Sequence, residues 1–242
     1  MVEIESSSSE ESEDLKAGNG SGSISVMLAQ TYDPEKHDPS NWLMSEKLDG
    51  VRCYWNGRTG LFTRNGNKFY APKWWSDGLP KIALDGELWS GRDNFQSIVS
   101  IVRKHDTNNE GWKHIKFHIF DAPLIKGNFK KRLARIEKEL KGCDSNAKLL
   151  EQVVCKSSSH LIELTDQILS KKGEGVMIKD PNSAYERRRS YSLLKVKKFH
   201  DAEATVIAHE KGDGRCWGML GALRVEEKDG TTFKVGGGFT DK

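Results

Sequence analysis

A lysine side chain does covalent chemistry only where its surroundings free the amine's lone pair. The segment Glu46-Lys47-Leu48-Asp49-Gly50-Val51-Arg52 is a candidate for such a setting. Lys47 stands among apolar Leu43, Met44 and Leu48, with Asp49 two residues along, on the same face if the segment is extended. Burial beside other cations makes a lysine nucleophilic, whereas a carboxylate alone acts in the opposite sense. Taken alone, Lys-x-Asp-Gly reads equally well as a surface turn. Further polar clusters follow in apolar frames, where charge is costly unless it is used. They are Arg64 in Phe62-Thr63-Arg64-Asn65-Gly66, Glu87 in Leu84-Asp85-Gly86-Glu87-Leu88, Glu174 in the run from Gly173 to Lys179, and Lys195 with Lys197 in Leu193-Leu194-Lys195-Val196-Lys197. In Phe117-His118-Ile119-Phe120-Asp121 an aromatic ring adjoins an acid. Each also has a plain structural reading: hairpin flank for Arg64, cross-strand ion-pair partner for Glu87, core for Phe120, the solvated face of a strand for the two lysines.

These residues need a frame to bring them together. From Trp42 to Trp89 short apolar runs alternate with Asn56-Gly57, Asn65-Gly66 and Asp85-Gly86, a pattern that predicts antiparallel strands joined by turns. Asp93 is placed to cap a helix carrying Phe95, Ile98, Val99 and Val102, and Asn128 one carrying Phe129, Leu133, Ile136 and Leu140. Strands are expected at Ile115 to Phe120, Gly175 to Lys179 and Leu193 to Lys197, after a helix near Leu161 to Leu169. The expected class is α+β, built on antiparallel sheets with flanking helices. After Asp201 three short strand candidates, Ala204 to His209, Ala222 to Glu226 and Thr232 to Val235, read as the start of a small β-barrel. The expected division is a disordered acidic, Ser-rich tail over 1–23, a main domain over 24–200 and the first part of a barrel over 201–242.

Composition narrows the function classes. The chain has 242 residues, 36% hydrophobic, and a net charge of +3 from 38 Lys+Arg and 35 Asp+Glu. Nowhere does it hold the run of about 18 apolar residues that a membrane span requires. The first 23 residues contain six acids and one base, the reverse of a basic, apolar secretory leader, so the remainder carries the positive charge. A basic body suits a polyanionic partner. Six cations crowd into Arg187-Arg188-Arg189 and Lys195, Lys197, Lys198, the density expected for a phosphate backbone, with a solvated loop as the alternative. The four cysteines show no metal-binding rhythm, so free thiols in a reducing compartment are expected.

From about Met27 onward, the clusters around Lys47, Arg64, Glu87, Phe120, Glu174 and Lys195/Lys197 stand in the order found in covalent nucleotidyltransferases. Within them the chain resembles the minimal ATP-dependent DNA ligases of the small bacterial type. That resemblance implies a nucleotidyltransferase domain followed by an oligonucleotide-binding (OB) barrel. It implies that Lys47 carries AMP from ATP to the 5′-phosphate of a nick in duplex DNA, which a 3′-hydroxyl then displaces, in repair or replication. Glu46, Asp49, Arg52, Arg64, Glu87, Phe120, Glu174 and Arg189 are the residues it assigns to nucleotide or nick. Arg52 and Arg64 offer planar forks for phosphate, Glu87 accepts ribose hydroxyls, and Phe120 gives adenine a face to stack on. Lys195 and Lys197 stabilise charge on the α-phosphate. Arg187, Arg188 and Lys198 would contact DNA. Mg2+ is implied by the charge of the pyrophosphate leaving group, with Glu174 as its candidate ligand.

In the family a complete barrel ends in a basic motif that orients the pyrophosphate, whereas this sequence stops at Gly238 to Lys242, inside the expected barrel. Two rivals to an active ligase therefore stand: a catalytically incomplete module that binds DNA, and an RNA ligase or guanylyltransferase using the same lysine chemistry. A monomer acting inside the cell, with a nuclear location left open, completes the expectations.

Overall fold

The computed structural model describes residues 23–143, 146–197 and 203–236. The chain divides into two compact units, Met1–Lys197 and Lys198–Lys242. The acidic tail as far as residue 22, together with Lys198 and residues 237–242, lies outside the described residues.

Eleven strands make up the two sheets of the first unit: β1 (Leu28–Thr31), β2 (Leu43–Glu46), β3 (Val51–Trp55), β4 (Leu61–Phe62), β5 (Lys68–Phe69), β6 (Leu84–Trp89), β7 (Lys116–Asp121), β8 (Ala147–Leu149), β9 (Val153–Val154), β10 (Val176–Lys179) and β11 (Arg189–Val196). Its helices are α1 (Lys73–Ser76), α2 (Phe95–Val102), α3 (Phe129–Leu140) and α4 (Ser158–Ser170). One sheet has the order β1-β11-β10-β2-β9 and the other β5-β4-β3-β6-β7-β8. Pairing is antiparallel except for β1 with β11 and β7 with β8, which run parallel. The fold is thus the expected α+β type, with two parallel pairs closing sheet edges.

Alternation along the strands separates core from site. In β6, Leu84 and Leu88 are fully buried in a core with Trp75, Trp112, Phe117 and Ile98, while Glu87 lies on the other face. In β10 and β11, Val176, Ile178 and Leu194 pack with Met44 of β2 and with Leu161 and Ile168 of α4. Met177, Lys179, Leu193 and Lys195 alternate with them on the opposite face. Helix α3 forms because Asn128 caps it, accepting from the Lys131 amide at 3.1 Å, and because Phe129, Arg132 and Ile136 recur at helical spacing on its buried face.

Two local expectations fail for identifiable reasons. The cap of α2 is Asn94 rather than Asp93, whose backbone is left-handed at φ 60°. Asp85-Gly86 is the middle of β6, not a turn. A Cβ on Gly86 would sit 2.5 Å from the His118 carbonyl oxygen of β7, so glycine here permits close approach of two strands.

The second unit is a sheet of β12 (Thr205–Lys211), β13 (Leu220–Glu226) and β14 (Thr232–Val235), paired antiparallel in chain order. Val206, Val225 and Phe233 lie opposite one another across it. The other face carries Glu210 with Arg224 and Lys234 as ion-pair partners.

One fully buried ion pair fastens α3 to the end of β7. Arg132 and Asp121 both have side-chain exposures of 0%, and Arg132 also donates to the carbonyls of Gly127 and Ser183. Replacing Arg132 with Met strands a buried carboxylate with Lys179 as its remaining cation, and should lower unfolding free energy in urea by about 3–5 kcal/mol. A loss under about 1 kcal/mol would show that the pair does not hold this junction.

Candidate active site

Strands from both sheets meet at a cavity of about 150 Å3, lined by Lys47, Arg52, Glu87, Phe120, Met177 and Leu193 among others. Lys47 follows directly on β2, where its amide donates to the Gly175 carbonyl at 2.9 Å. Gly175 has φ +141°, and a Cβ there would strike the Val196 carbonyl oxygen at 2.2 Å, so the close seating of this turn on β11 requires glycine.

At the mouth of the cleft, Lys47 Nζ and Lys197 Nζ each donate to a different oxygen of the Glu174 carboxylate. Burial opposes ionisation of Glu174, but the hydrogen bonds from Lys197 and Lys47 outweigh it and hold the carboxyl below its ordinary range. Lys195 lies on the same strand face as Lys197 and opposite Met177. It makes no ion pair among the described residues. Two cations thus share one carboxylate, with Lys195 two residues before Lys197 along the chain, an arrangement able to accept additional negative charge.

Arg52 is committed in a different way from the free fork expected. Its Nε and Nη2 grip Asp85 at 2.8 and 2.6 Å, and Nη2 also donates to the Met27 carbonyl, which leaves Nη1 for phosphate. Tyr185 donates its hydroxyl to the same Asp85 at 2.6 Å and receives the Met27 amide at 3.0 Å. Burial works against the Arg52 charge, yet Asp85 more than compensates, so the guanidinium is held ionised. Its carbon lies 4.9 Å from the centre of the Phe120 ring, a cation–π contact that steadies the aromatic side chain.

Glu87 stands across the β3–β6 pairing from Arg52 with no hydrogen-bond partner among the described residues. Desolvation in the cavity pushes its carboxyl up to about 8, against the pull of Arg52 and Lys47. At neutral pH it is mostly protonated and can both donate to and accept from a hydroxyl. Beneath the cavity, Asp121 binds Arg132 and Lys179. Burial lowers the Lys179 affinity for its proton, and its ammonium lies 4.4 Å from the Phe129 ring centre.

Not every sequence-predicted residue reaches this cavity. Glu46 does, and Arg92 holds it through two contacts of 2.8 Å. Asp49 is exposed and off the cavity wall, because the chain leaves β2 before it and the two-residue face relation with Lys47 does not apply. Arg64 is exposed on the β4–β5 turn, where its carbonyl receives the Ile24 amide. In the basic run, Arg187 is exposed, Arg188 pairs with Glu186 at 2.7 Å and Arg189 donates to the Ala29 carbonyl at 2.5 Å.

Asp85, Lys179, Tyr185, Arg132 and Arg92 were not predicted as site residues. Asp85 and Lys179 sit inside clusters that drew notice, but alternation gave no means of pairing them with partners on distant strands. Tyr185, Arg132 and Arg92 carry no local signal.

Among the described residues no group of three or more His, Cys, Asp or Glu side chains converges as a metal cage. Mg2+ does not require one, since it commonly binds through one or two carboxylates together with substrate phosphates. Glu174, held ionised, fits that role.

Residues 26–197 match the family model for the ATP dependent DNA ligase domain, and residues 211–242 match that for the DNA ligase OB-like domain. The DNA ligase of Haemophilus influenzae is 39% identical over 215 residues, covering 88% of this chain and 78% of that protein. DNA ligase 2 of Methanosarcina acetivorans is 30% identical over 90% of this chain, which spans 45% of that longer protein. A solved structure from a structure–function study of Lig E DNA ligases superposes with a TM-score of 0.83 at 36% identity, covering 90% of this chain and 85% of that one. Nothing in these matches favours a non-catalytic binder or a capping enzyme.

The raised Glu87 carboxyl has a thermodynamic consequence. Folded protein binds the extra proton between the ordinary value of 4.5 and about 8. Its contribution to stability is therefore complete below 4.5 and falls as pH rises to about 8. Thermal or urea midpoints of Glu87→Gln should lack this fall between pH 5 and 8; equal pH slopes in variant and parent would contradict it.

Proposed function

The chain belongs to the ATP-dependent DNA ligase family, and on that premise we propose that it seals nicks in duplex DNA by way of AMP carried on Lys47. The observation that carries this reading is the shared Glu174 carboxylate, with Lys47 and Lys197 on its two oxygens beside a cavity that also holds Phe120 and Glu87.

ATP enters with its base against Phe120, Met177 and Leu193 and its ribose near Glu87. Its phosphates draw Lys195, Lys197 and the free Nη1 of Arg52. As Lys197 turns to phosphate, Glu174 is left to serve Lys47, and its carboxylate takes the proton from Nζ. The amine then attacks the α-phosphorus, the N–P bond forms, and the bond to pyrophosphate breaks. Mg2+ held by the phosphates and Glu174 would neutralise the leaving group. A 5′-phosphate oxygen next displaces Lys47 from the α-phosphorus, and the 3′-hydroxyl attacks that 5′-phosphate, releasing AMP and forming the phosphodiester bond. Asp85 acts through Arg52, holding its guanidinium against Phe120.

Arg64 and Arg189 face the nick rather than the nucleotide in this reading, and Arg187 adds to the DNA-facing charge. The protein works as a monomer inside the cell, where ATP and DNA are found. Among the described residues no helix is long and apolar enough to cross a membrane.

A nicked duplex with a labelled 5′-phosphate tests the proposal. With ATP and Mg2+ the protein should seal it. Lys47→Ala should reduce sealing by on the order of 10³-fold or more while retaining closure of a nick that already carries AMP. Sealing driven by GTP instead of ATP, or unaffected by the substitution, would overturn the reading.

A further inference from the structure

Beyond the nucleotide cavity, three lysines from separate elements converge on a groove of about 560 Å3 at the β4–β5 edge of the larger sheet. Lys68 lies on β5, Lys73 opens α1, and Lys81 stands in the segment leading into β6. All three are exposed, and Arg58 adds a fourth cation to the wall. Asp77 is the one carboxylate lining it among the described residues. Lys36, Arg135, Lys172 and Arg188 each stand against a carboxylate, but the three groove lysines make no ion pair among the described residues.

Like charges gathered in this way repel one another until an anion with several spaced charges lies along them. The rest of the groove suits a sugar–phosphate strand. Thr59 and Thr107 supply hydroxyl donors, while the half-buried Tyr70 and Ala71 give apolar surface for deoxyribose. The floor is fixed, because the Trp55 indole N–H donates to the Pro80 carbonyl at 2.7 Å, next to Lys81.

Position links the groove to the reaction. The β4–β5 turn carries Arg64, which the reading above turns toward the nick, and Lys68 of β5 stands at the groove four residues further on.

We propose that this groove grips the phosphodiester backbone of the duplex arm flanking the nick. The inference rests on the nick-sealing reading above and adds where one arm of the substrate is held. The contact is to backbone, so it contributes affinity and register without reading sequence.

The test compares the full chain with a Lys68→Ala/Lys73→Ala/Lys81→Ala variant, using nicked duplex binding from 50 to 200 mM salt and AMP uptake from ATP. All three positions are exposed and off the catalytic cavity, so AMP uptake should match the parent. The slope of log affinity against log salt should fall by about 2–3, since each lost phosphate contact removes about 0.9. At 0.15 M salt the corresponding loss of affinity is on the order of a hundredfold. A Lys→Arg triple variant should retain the parental slope. Equal slopes in the parent and the alanine variant would overturn the groove assignment. A parent that takes up no AMP would overturn the lysyl-AMP reading instead, while the salt slopes would still report on the groove.

Discussion

The Glu174 carboxylate is the constraint around which this molecule is arranged. Two ammonium groups, from Lys47 after β2 and Lys197 after β11, share its oxygens in a partly buried cleft. Charges removed from water are costly unless paired and hydrogen-bonded, so the segments that carry them must meet to within a hydrogen bond. The β2–β10–β11 pairing brings these segments together, and Gly175 lets the Glu174 turn approach β11 closely enough. In the proposed reaction the same carboxylate restrains the nucleophile before ATP arrives and receives its proton afterwards.

Two further carboxylates extend this logic into the interior. Asp85, with a side-chain exposure of 1%, collects Arg52 and Tyr185 and so fixes the Met27 segment, the central strand β3 and the segment before β11 around one point. Asp121 does the same for α3 through Arg132 and for β10 through Lys179. Glu87 is the exception. Without a partner of its own, it resists ionisation and is left as a protonated group facing the cavity. One site thus contains carboxyls in opposite protonation states, distinguished by how many donors reach each one.

Much of this was legible in the sequence where a signal is local. Glu87 stood out as a charge in an apolar frame, and the spacing of Phe129 and Ile136 with the Asn128 cap marked α3. Lys47, Glu174 and Lys197 were singled out by charge in apolar frames and by the order of their clusters. Pairing at long range was not legible. Asp85-Gly86 carries turn chemistry in isolation, and only the close approach of β7 explains the glycine. The Arg52 fork reads as free until Asp85, 33 positions away, is brought across from β6. Asp49 and Arg64 show the converse: their proximity to strong signals in the sequence does not bring them onto the cavity wall in the folded chain.

The central claim is that Lys47 is the residue that takes AMP. Intact mass after incubation with ATP and magnesium, followed by peptide mapping under conditions that preserve a phosphoramidate, tests it most directly. The account predicts a single AMP added per chain, on the peptide containing Lys47, and none in Lys47→Ala. An adduct on another lysine such as Lys195 or Lys197, or one that survives the substitution, would contradict it.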